Sequence, residues 1–118
     1  MDTRHAAHVQ RMVEAVLSDP GDTDPALRRA IEAWAAKLGE RPGAEVDEIP
    51  AELTAYVTKV ALHAYKTRDE DIEALRNAGY SEDAIFEITL SAAIGAGKAR
   101  LEQGLTALKG GPDAAQEA

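Results

Sequence analysis

The segment that most constrains the fold runs from about residue 82 to 109. Phe86, Leu90, Ala93, Gly97, Leu101, Gly104 and Leu108 recur there at helical spacing, and Ile85, Ala92 and Ala96 cover the adjacent face. Between Ile85 and Gly97 such a helix is apolar or small over most of its circumference, and a helix of that kind is buried on more than one side. A chain of 118 residues makes about one domain. The second side of the helix is therefore expected to be a subunit interface, in a homo-oligomer. Ser91, Ala92, Ala93, Gly95, Ala96 and Gly97 are expected to let another helix approach closely, with Gly97 at a tight contact.

The remaining sequence reads as four further helices and no strand. Val9, Met12, Val13, Val16 and Leu17 form one face of a helix over about 3–18, ended by Asp19-Pro20-Gly21-Asp22. Asp24 before Pro25 is an N-cap followed by a proline at the first helical position. That helix carries Leu27, Ile31, Trp34 and Leu38 on one stripe, and Gly39 is expected as its left-handed stop. Residues 40–49 read as a loop. Pro50 opens a third helix, to about Lys66, with Leu53, Val57, Val60, Ala61 and Ala64 inward. Thr67 and Glu70 have capping-box spacing before a short helix to Ala78. Gly79 and Tyr80 fit a Schellman stop, with Tyr80 against Leu75, and Ser81 caps the last helix. The expected fold is all-α, one compact domain over 1–109, with 110–118 as a disordered tail.

Aromatic residues are only 4% of the chain, so alanine and aliphatic side chains must fill the core. The net charge is 13 − 21 = −8, which repels phosphate backbones and anionic lipid. Nucleic acid and membranes are accordingly not expected as partners. No apolar run approaches the ~20 residues of a membrane helix, and the N-terminal residues do not read as a signal peptide. A cytoplasmic protein is expected. With no cysteine, disulfides, thiolate metal sites and thiol nucleophiles are excluded.

Among candidate motifs, Gly95-Ala96-Gly97-Lys98-Ala99 lacks the earlier glycine and the following Ser or Thr of a phosphate loop, and packing explains it better. His5 and His8 lack a third ligand, and no metal or cofactor is expected. The carboxylates at Asp69, Glu70 and Asp71 suit a helix start. Tyr56, Lys59 and His63 place three ionisable groups on one helical face. A buried Lys can act as base or Schiff-base nucleophile and a His can move protons near neutrality; the alternative is a polar face that meets water. Glu87, if buried, would have a raised pKa and could serve as general acid or base; the alternative is a surface or capping carboxylate.

From Thr67 to Glu87 the chain reads Thr-Arg-Asp-Glu-Asp-Ile-Glu-Ala-Leu-Arg-Asn-Ala-Gly-Tyr-Ser-Glu-Asp-Ala-Ile-Phe-Glu, and Arg100-Leu101 follows near the end of the long helix. Over Thr67–Leu105 this resembles the carboxymuconolactone decarboxylase and alkylhydroperoxidase-D-like superfamily. The resemblance implies an all-helical fold of about five helices, assembling into dimers, trimers or hexamers. Peroxidase members carry Cys-x-x-Cys-x-x-x-His; Tyr56, Lys59 and His63 reproduce that spacing, with Tyr and Lys in the cysteine places. Decarboxylase members use acid–base chemistry without a cofactor. The leading expectation is a member that lacks peroxidase chemistry and serves as an oligomeric binding or accessory protein for a small acidic ligand at the Tyr56/Lys59/His63 face. The second is a cofactor-free decarboxylase or isomerase using His63, Lys59, Tyr56 or Glu87.

Overall fold

A computed structural model describes residues 3–46 and 48–110; the expected tail lies almost wholly outside them. Among the described residues the architecture is all-α, with five helices and no strand: α1 Thr3–Ser18, α2 Pro25–Glu40, α3 Ala51–His63, α4 Asp69–Asn77 and α5 Glu82–Leu108. A 3₁₀ turn, Ala64–Lys66, follows α3, so the third helix tightens three residues before its expected end.

Local chemistry sets most of the boundaries. Asp24 accepts a hydrogen bond from the Ala26 N–H, with Pro25 beginning α2. The Ser81 hydroxyl accepts from the Ala84 N–H at the start of α5. At the end of α4, Tyr80 N–H donates to Leu75 O and Gly79 N–H to Arg76 O, and Gly79 has φ +103°. This is the Schellman pattern, and its glycine takes a conformation that side chains resist.

Two expected caps differ. Gly39 lies inside α2, which ends at Glu40, and Arg41 takes the C-cap position. The N-cap of α4 is Arg68, whose backbone N–H donates to Asp71, the third residue of the helix. The Thr67 hydroxyl is buried and has no partner. The carboxylate half of the box thus forms one residue later than its spacing indicated.

The core lies where α2, α3 and α5 meet, around Ile31, Leu38, Leu53, Val57 and Ile88. Trp34 is buried among them, and its indole N–H donates to Ala44 O, which ties the α2–α3 loop down. The closest approach is between α2 and α5. A Cβ on Gly95 would lie 2.1 Å from the Glu32 carbonyl oxygen. Ser91, Ala92, Gly95 and Ala96 all face inward there. The helix admitted by these small residues is thus α2 of the same chain. Gly97 makes no such contact within the chain, since a Cβ there would meet nothing within 4 Å. On α1 Leu17 is fully buried, whereas Val9 and Met12 of the expected inner face remain exposed.

Candidate functional site

The three residues read from α3 point to different neighbours. Tyr56 is buried, and its hydroxyl lies 2.6 Å from Thr89 Oγ1 on α5. Lys59 reaches α4, with Nζ 3.0 Å from both carboxylate oxygens of Asp71. Asp71 also accepts the Arg68 N–H, and these two contacts hold its pKa below the ordinary carboxylate value. His63 is exposed at the end of α3, edge-on to Tyr65. Tyr56, Lys59 and His63 share a helix but no common partner.

Glu87 lies on another flank of α5 and faces the α1–α2 loop. Its carboxylate accepts the Asp22 and Thr23 backbone N–H groups, each at 2.9 Å, and the Thr23 hydroxyl. A side chain on Gly21 would overlap this carboxylate, so the glycine permits the approach. Beside it stands Arg28, only 3% exposed, with Nε 4.0 Å from the nearer Glu87 oxygen. The Arg28 guanidinium donates to the carbonyls of Val16, Asp19 and Thr23. Arg28 therefore gathers the loop backbone, and Glu87 fastens it to α5. Burial pushes the Glu87 carboxyl up, but the Thr23 hydroxyl, the two N–H donors and Arg28 outweigh it, and its pKa lies below the ordinary value. At neutral pH Glu87 is a bound carboxylate, saturated by donors.

The side chains that do converge line a cavity of about 330 Å³ among α3, α4 and α5. Ile72, Ile85 and the exposed Phe86 supply apolar walls, Tyr56 and Thr89 a polar floor, and Arg76 and Glu82 a charged mouth. The Thr89 hydroxyl donates to Ile85 O at 2.7 Å. A threonine hydroxyl has one proton, so the Tyr56–Thr89 bond uses the tyrosine proton. The Tyr56 oxygen is left as an acceptor at the floor. Arg76 donates to Glu73 and Glu82, and all three are exposed. Exposed pairs of this kind contribute only about 0–1 kcal/mol, so an incoming anion can take the place of either acid.

Of this cleft only Tyr56 is among the candidate site residues that the sequence offers. Arg76 and Thr89 carried no signal, since each is an ordinary helical polar residue until α4 and α5 are placed beside α3. Among the described residues no three His, Asp or Glu side chains could share a metal ion, and no helix is long and apolar enough to cross a membrane. Comparisons with protein-family models, curated proteins and solved structures give no match.

Proposed function

We propose that the protein binds a small hydroxylated organic acid in the α3–α4–α5 cleft. In this reading it is a cysteine-free relative of the alkylhydroperoxidase-D-like proteins, acting in the cytoplasm as a homo-oligomeric binding or accessory protein without thiol peroxidase chemistry. The observation that carries the ligand class is that the Thr89 hydroxyl both donates to Ile85 O and lies 2.6 Å from the Tyr56 hydroxyl, which leaves the tyrosine as the donor between them. The floor of the cleft offers an acceptor and therefore selects a ligand with a hydroxyl donor. The apolar walls suit a ring or short hydrocarbon body, and Arg76 at the mouth suits a carboxylate. The acid is the ligand expected from the sequence, but the cation that meets it is Arg76, not Lys59 or His63. The resemblance over Thr67–Leu105 supports the family assignment.

4-Hydroxybenzoate is a suitable probe, with benzoate as the control that lacks the hydroxyl. The expected result is millimolar or tighter binding of 4-hydroxybenzoate, with NMR shifts confined to Tyr56, Phe86, Thr89 and their neighbours. Arg76→Ala should weaken both probes, whereas Tyr56→Phe should remove the preference for the hydroxylated one. Loss of a single such hydrogen bond corresponds to about 0.5–1.5 kcal/mol, or roughly a factor of 2–10. Equal affinity for the two probes in the wild-type chain would exclude the acceptor role of Tyr56. Shifts spread over the whole surface would exclude the cleft.

A further inference from the structure

α5 has two apolar faces, and the fold uses one. Ala84, Ile88, Ser91, Gly95 and Ala99 turn toward α2 and α3. Almost opposite them on the helical wheel lie Phe86, Leu90, Ala93, Gly97, Leu101, Gly104 and Leu108. Phe86 is 65% exposed, Leu101 48% and Leu108 82%, and Leu90 is only half-buried. The stripe spans 22 residues of rise, about 33 Å at 1.5 Å per residue. An apolar strip of that length is larger than the scattered exposure usual on a monomer.

Between Phe86 and Gly104 the strip can be laid against itself in reverse, large against small at the ends and small against small at the centre. About a midpoint near residue 95, Phe86 falls opposite Gly104, Leu90 opposite Leu101, and Ala93 opposite Gly97. The largest knob thus meets a glycine, and two small residues, Ala93 and Gly97, meet at the crossing. A Cβ at Gly97 or Gly104 would touch nothing in the chain itself, so neither glycine is required by the fold of one copy. Charge follows the same symmetry. Glu82 and Asp83 begin the helix and Lys109 follows its end, so reversal sets the acids of one copy beside the lysine of the other. The helix dipoles also oppose one another. A parallel pairing would instead stack Phe86 on Phe86, leave Gly97 facing Gly97, and bring the two acidic ends together.

We propose that a second copy of this chain covers the outer face of α5 in an antiparallel two-fold pairing, with Phe86 of each copy seated over Gly104 of the other. This rests on the homo-oligomer reading given above and specifies which surface forms the contact. An isologous two-fold contact needs one self-complementary patch, which this strip provides.

The native chain has no cysteine, so single-cysteine chains report the pairing cleanly. Leu90→Cys and Leu101→Cys leave the Phe86 knob and the Gly104 hole intact. In the antiparallel pair, identical positions lie about 16 Å apart along the axis, beyond the reach of a disulfide, whereas residue 90 faces residue 101 of the second copy. Mixed oxidation of the two variants should give a disulfide-linked heterodimer, and each variant alone should give none. Gly104→Gln should keep wild-type helicity and weaken self-association in sedimentation about tenfold or more. Self-linking of Leu90→Cys alone would mean parallel pairing and overturn the proposal. An oligomer that forms no mixed disulfide, or that survives Gly104→Gln unchanged, would overturn the α5 contact and leave the homo-oligomer reading standing. A monomer at micromolar concentration would assign the face to another occupant and overturn both.

Discussion

Replacing Glu87 by alanine is expected to cost about 3 kcal/mol, the upper end for losing hydrogen bonds to a charged group, since three donors meet this part-buried carboxylate. The size of the effect comes from what stays behind. Arg28 would remain buried without its anion, and the Asp22 and Thr23 N–H groups and the Thr23 hydroxyl would lose their acceptor. Domains of this size are stable by only about 5–15 kcal/mol, so the loss is a sizeable fraction of the total. Urea unfolding of the two proteins measures the difference. Glu87→Gln separates the contributions, because the amide keeps the shape and one acceptor oxygen but loses the charge. It should fall between wild type and Glu87→Ala.

The same contact sets an acid limit. The Glu87 carboxyl is depressed in the fold from its ordinary value of 4.5. Its stabilisation is therefore complete above that value and is lost as pH falls through the lower, folded one. Wild-type stability should decline across this acid range, and Glu87→Gln should show a shallower decline. Identical pH slopes for the two proteins would refute the clamp.

Gly95→Ala is the second large effect. A helix interior ordinarily gains about 0.8–1 kcal/mol when glycine becomes alanine. Here the new methyl would lie 2.1 Å from the Glu32 carbonyl oxygen and 3.0 Å from the Ala35 methyl. The obstacle is helix backbone, which no change of rotamer can relieve, so α2 and α5 must move apart. Overpacking of a tight core contact costs about 1–3 kcal/mol, and a net loss near the upper end is expected after the propensity gain. Gly97→Ala, two residues on, is the internal control. Its methyl meets open space within the chain, so in dilute protein, where the copies are apart, the propensity gain should dominate. If the two variants unfold at the same urea concentration, the α2–α5 contact is looser than described.

The elements were legible in the sequence where their causes are local. Asp24-Pro25, Ser81 and the Gly79-Tyr80 stop each act within a few residues, and each forms in the structure. Thr67 and Gly39 show how such grammar slips. Arg68 and Asp71 supply the same backbone hydrogen bond one residue later, and α2 runs through Gly39 to end at Glu40. The all-α class followed from periodicity alone. The small residues of α5 were read as a contact surface for a helix, but periodicity does not say which helix, and α2 takes the inner set.

The candidate site was less legible, because its geometry depends on which helices become neighbours. Tyr56, Lys59 and His63 are one face by spacing, yet α5 takes the first, α4 the second, and the third remains exposed. The Glu87 clamp did leave a trace. Arg28 stands three residues before Ile31 and seven before Ala35, on the buried side of α2. A guanidinium on a core-facing stripe demands acceptors, and that demand points to a carboxylate elsewhere in the chain. Which carboxylate answers it cannot be read from spacing, since Thr23 and Glu87 are 64 residues apart.

That separation has a kinetic meaning. Contacts between distant parts of a chain must first overcome loop-closure entropy, so the α1–α2 loop is expected to meet Glu87 only after α2 and α5 have come together. An interaction absent from the transition state changes how fast the protein unfolds and leaves its folding rate nearly unaltered. Glu87→Ala should therefore steepen the loss of native protein with time while refolding at close to the wild-type rate. In stopped-flow experiments the unfolding limb alone should move. The bond between Glu87 and residues 22–23 would then act as a latch, which sets the lifetime of the folded state and not the route to it.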